Sequence, residues 1–130
     1  MLDVLDPPAH NVIAIRVDGS AADAAADGEA LRALLDAARP QAPLGLYVEM
    51  GWMWGDTERE FADRVRRGFA ELAAREDVER VAFVSGSYPR RTLLRDIGEP
   101  VDGVEVSVFP AAARNAAIDW VRQFDAQEAA

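Results

Sequence analysis

Cysteine and lysine are absent from this chain, and histidine occurs once, at His10. Without cysteine there is no disulfide, no thiolate nucleophile and no cysteine-held metal. That absence suits a reducing cytoplasm, which is the compartment expected. His10 follows Pro7-Pro8-Ala9 in an expected turn, and any Ser-His-Asp arrangement would have to run through it. A surface histidine is the expectation there. No histidine pair or acidic cluster has metal-ligand spacing, and there is no glycine-rich phosphate loop, so neither metal nor cofactor is expected. The opening Met1-Leu2-Asp3-Val4 lacks the basic and apolar regions of a signal peptide. No apolar run approaches the ~18 residues that a membrane span needs. All 14 basic residues are arginine, and against 23 acidic ones they leave a net charge of −9. Nucleic acid is therefore not an expected partner, because no basic stripe offsets the repulsion of phosphate.

What is present reads as a globular protein. Half of the 130 residues are hydrophobic and 28% are charged, so one domain over residues 1–130 can bury a core without a staple. Met1 to Leu5 is a short opening strand, broken by Pro7-Pro8. Asn11 to Asp18 alternates with Ile13, Ile15 and Val17 on one side, and pairs with the first strand as a hairpin. An alanine-rich helix is expected from about Ala21 to Arg39, carried by Leu31, Leu34, Leu35 and Ala38 and closed by Pro40 and Pro43. Leu44 to Met50 is the third strand. The clearest helix runs from about Thr57 to Arg75, with Phe61, Val65, Phe69 and Leu72 inward and the pairs Glu60–Arg64, Asp63–Arg67 and Glu71–Arg75 outward. Val81 to Val84 is a central strand. A helix over about Pro89 to Ile97, an edge strand over Val104 to Val108 and a last helix over about Ala111 to Phe124 complete the order β-β-α-β-α-β-α-β-α. Such alternation implies a mixed, mainly parallel sheet with right-handed crossovers, an α/β fold of about five strands and four helices.

Three local features carry chemistry. Trp52, Met53 and Trp54 sit in an expected loop over Gly51 to Asp56, flanked by Gly51 and Gly55. Large aromatics there either cap the core or line an adaptable apolar site beyond the end of a strand. Thr57 and Glu60 have the spacing of a capping box; the rival reading is a phosphorylation site, which Asp56, Glu58 and Glu60 would oppose. Ser87, Pro89, Arg90 and Arg91 open a helix, where free N–H groups and two arginines would suit an anion; the alternative is exposed arginines paired with surface carboxylates.

With these elements in view, the chain resembles the SpoIIAA-like branch of the STAS domains, the fold of anti-sigma-factor antagonists, which is also compared with CRAL-TRIO lipid-transfer domains. The likeness rests on residues 11–19 (Asn-Val-Ile-Ala-Ile-Arg-Val-Asp-Gly), on Leu46 to Trp52, on Glu79 to Val84 and on Val104 to Pro110 before the last helix. It implies a domain without catalytic activity. Antagonists of this type carry a phosphorylatable residue in an Asp-Ser-Ser/Thr-Gly-like motif. Only Asp56-Thr57 matches it here, with Glu58 where a small residue is expected. The comparison with lipid-transfer domains implies an apolar pocket between sheet and helices.

The resulting expectation is a noncatalytic binding domain. It takes an apolar or amphipathic, lipid-like small molecule near the loop after the third strand, lined by Trp52, Met53, Trp54 and Phe61. Ser87, Arg90 and Arg91 lie toward an anionic head group. The alternative is a protein–protein regulatory module of the antagonist type, switched at Thr57. A small enzyme would have only Asp56, Glu49 and Glu58 to draw on.

Overall fold

The computed structural model describes residues 2–19, 24–53 and 58–122, apart from the side chains of Trp52 and Met53. The strands are β1 (Leu2–Leu5), β2 (Val12–Gly19), β3 (Leu44–Met53), β4 (Val78–Ser85) and β5 (Glu105–Phe109). The helices are α1 (Ala24–Ala38), α2 (Glu58–Arg75), α3 (Tyr88–Gly98) and α4 (Arg114–Val121), with short 3-10 turns at Arg39–Gln41 and Ala111–Ala113. The five strands lie side by side in chain order. β1 runs antiparallel to β2, and the other three pairings are parallel. The expected α/β order and mixed, mainly parallel sheet are both present.

This strand order dictates where the helices go. Each parallel crossover steps one strand in the same direction, and right-handedness then puts each connecting helix on the same face. α1, α2 and α3 share that face. Their core there joins Ile15, Leu46, Val48 and Val81 of the sheet to Leu35, Phe69 and Leu72 of the helices. Phe69 meets Phe83 edge-to-face, with ring centroids 5.4 Å apart. A second cluster on the same side seats Leu94 of α3 against Phe61 and Val108. α4 follows the last strand, so no crossover constrains it, and it covers the opposite face. Ala14 and Ala82 are small enough there to let Ala117 and Val121 approach the sheet. Arg80 on β4 fixes this helix: it donates to the Trp120 carbonyl at 2.9 Å, lies 5.0 Å from that residue's ring centre and pairs with Glu105.

Several expected boundaries shift. β3 continues to Met53 because parallel pairing with β2 resumes at Gly19↔Met53 after a register shift. The backbone at Trp52 and Met53 is therefore strand, not loop. At Gly51 an added Cβ would sit 2.9 Å from Arg16 Nη2 and 3.0 Å from Asp18 Cβ, so glycine allows β3 to pass close to these side chains. Two of the expected α2 pairs, Asp63–Arg67 and Glu71–Arg75, have other carboxylate–guanidinium partners. Asp63 meets Arg66, Glu71 reaches Arg32 of α1, and Arg75 joins Asp36 and Asp77. Partners on neighbouring elements displace the expected Glu71–Arg75 pairing. The expected start of α1 at Ala21 and the segment from Phe124 onward lie outside the described residues.

Candidate functional site

α1 and α2 lie over the sheet without closing on each other. α1 has a single fully buried side chain, Leu35, with Leu31 and Leu34 half-buried. Gly28 on α1 and Gly68 on α2 present no side chain to the space between, and an added Cβ at Gly68 would touch nothing within 4 Å. The result is an apolar chamber of about 230 Å³. Its floor is Ile15, Val17, Leu46, Val48, Met50 and Phe83. Its walls include Leu31 and Leu35 from α1 and Phe61, Val65, Phe69 and Leu72 from α2.

Ion pairs between the two helices border the chamber. Arg32 contacts both carboxylate oxygens of Glu71, at 3.3 and 3.1 Å, and Arg75 reaches Asp36 at 2.9 Å. These bridges link the two helices across the mouth. Beneath the second, Arg75 and Arg39 both donate to Asp77. Burial alone would raise the Asp77 carboxyl, but these hydrogen bonds outweigh it and hold it below the usual carboxylate range. Arg64 also lines the chamber. Burial, then the positive charge of Arg90, then that of Arg67, lower its proton affinity, and Asp27 of α1 opposes them.

A second, more polar hollow of about 390 Å³ lies between the start of α2 and α3, bordered by Glu58, Phe61, Ser87, Arg90, Thr92 and Asp96 among others. Phe61 is a wall of both spaces. The Arg90 guanidinium lies 4.3 Å from its ring centre, a close cation–π stack. Ser87 caps α3 by accepting from the Arg90 N–H, with Pro89 in the first turn as expected.

The sequence-expected residues thus separate. Phe61, Ser87 and Arg90 converge on the hollow. Arg91 borders neither space; it donates to the Ser85 carbonyl at 2.8 Å and stacks toward Tyr88. Trp54 and Thr57, with the side chains of Trp52 and Met53, lie outside the described residues. His10 is exposed. Of the candidate carboxylates, Glu49 and Glu58 do not meet. Glu58 is at the hollow, whereas Glu49 is on the α4 face, where it accepts from the Tyr47 hydroxyl at 2.9 Å and pairs with Arg114 and Arg16. Burial and Glu49 together push the Tyr47 hydroxyl well above its ordinary range, so it stays a donor. Asp56 is outside the described residues. Among the described residues no three His, Cys, Asp or Glu side chains group as metal ligands, and no helix is long and apolar enough to cross a membrane.

Sequence reasoning missed Gly28, Gly68, Arg32 and Arg64. A signal was available for the glycines: each costs a helix interior about 1 kcal/mol relative to alanine, so its presence there asks for a reason.

A five-stranded mixed sheet with three helices on one face and one on the other is the architecture of a STAS-type α/β domain. The chain belongs to the SpoIIAA-like family, whose family model matches residues 12–122. At family level this is a noncatalytic regulatory domain. No curated protein and no solved structure gives a significant match.

Proposed function

We propose that this domain binds an apolar or lipid-like small molecule, without chemically changing it, in the chamber between α1, α2 and the sheet. The observation that carries this reading is the chamber itself. A space of about 230 Å³ with apolar floor and walls, bordered by two helix glycines, leaves apolar surface that a ligand would cover. The resemblance to lipid-transfer domains points the same way. The test is calorimetric titration with octanol, paired with a Gly68→Leu variant that fills the space. Saturable binding to the native chain, lost in the folded variant, supports the reading. Absence of saturable binding overturns it.

The second reading is a protein–protein regulatory module, and membership of the SpoIIAA-like family favours it. Its contact surface would be the segment around Trp54, with Thr57 as its switch. A partner captured by the native chain and lost with Trp54→Ala supports this module. A partner retained by that variant counts against this surface.

A further inference from the structure

Phe61 separates an apolar chamber from a polar hollow, and a cation stands on each side of it. Arg64 lines the chamber one turn along α2 from Phe61. Arg90 lies on the Phe61 ring at 4.3 Å and borders the hollow. Two arginines from different helices thus lie close enough to repel each other, one of them on the Phe61 ring, in a chain whose net charge is −9. Their mutual repulsion is felt at Arg64, and both lose water to burial. An apolar ligand gains nothing from such a pair. An anion at the junction of the two spaces can meet both, by charge-assisted hydrogen bonds to planar guanidinium groups.

Resting on the apolar-ligand reading above, we infer that the chamber and the hollow are one bipartite site for an anionic amphiphile, its tail in the chamber and its carboxylate or phosphate head between Arg64 and Arg90. Phe61 is the partition past which the chain of the ligand runs, and the Ser87 cap fixes the backbone from which Arg90 extends. Asp27 faces Arg64 and competes with the head group. Glu58 and Asp96 border the hollow and disfavour a head with more than one negative charge.

The experiment compares the dissociation constants of octanoate, octyl phosphate and octanol on the intact chain by calorimetry. Octanoate or octyl phosphate is expected to bind about ten-fold tighter than octanol, as a charge-assisted contact implies. Whichever of the two is tighter identifies the head group. In the double variant Arg64→Gln, Arg90→Gln this preference, read as the ratio of anion to octanol affinity in the same variant, should collapse to less than about two-fold. Asp27→Asn, which keeps both arginines, should tighten the anions alone. Equal binding of octanol and the anions by the native chain overturns the inference but leaves the apolar chamber standing. So does a preference that survives in the double variant, or anion affinity that does not rise in Asp27→Asn. Failure of all three probes to bind removes both readings.

Discussion

At position 98 an added Cβ would sit 2.8 Å from Val106 Cγ1 and 3.1 Å from Phe69 Cζ. Both neighbours are held in a packed core, so Gly98→Ala is expected to cost about 1–3 kcal/mol, read as a lower denaturant midpoint. Gly68 is the opposite case. Its Cβ would enter open space within a helix, so Gly68→Ala should raise stability by about 0.5–1 kcal/mol while narrowing the ligand chamber. The two substitutions are chemically identical, and their opposite signs follow from the different surroundings of the two glycines. Arg80 is a third residue whose weight is legible only in three dimensions. It is 8% exposed and joins the Trp120 carbonyl, its ring and Glu105. Arg80→Ala should destabilise by about 2 kcal/mol and loosen α4 first, seen as a rise in Trp120 solvent exposure.

Between elements, the turn from α2 to β4 concentrates strain and charge. Glu76 has φ 64°, the left-handed conformation that favours glycine, and it is exposed. Glu76→Gly is expected to raise the melting temperature, with a gain of up to about 1 kcal/mol. Next to it, Asp77 has a folded-state proton affinity below its unfolded value of 3.8. Its stabilisation is complete above that pH and is lost as pH falls through the lower folded-state value. Stability measured by denaturant titration should therefore fall below about pH 4, and Asp77→Asn should flatten that part of the curve. The elements themselves were largely readable beforehand, because alternation in β2 and the Phe61, Val65, Phe69, Leu72 stripe of α2 are local signals. β3 was read three residues short, since its end at Met53 depends on pairing with Gly19, a tertiary fact. The expected Glu71–Arg75 pair failed for the same reason: Arg32 and Asp36 come from another helix.

Across the molecule, the two sides of the ligand chamber differ in anchorage. α2 buries Phe61, Ala62, Phe69 and Leu72, whereas α1 buries Leu35 alone and is tied to its neighbours by exposed ion pairs. Native-state hydrogen exchange should therefore be faster in α1 than in α2, and the gap should widen with added salt, which screens such pairs. The resemblance implies an apolar pocket between sheet and helices, but of the chamber's lining residues the sequence singles out only Phe61 for it. The chamber is made from side chains that two distant helices lack, and Arg90 meets Phe61 only because α3 packs beside α2. The succession of strands has its own consequence. Because each strand docks beside the one before it, a nascent chain can complete the sheet one edge at a time as it is synthesised. No early strand must wait for a late one to be inserted between it and its neighbour. Such a route keeps loop closures short, which favours rapid assembly.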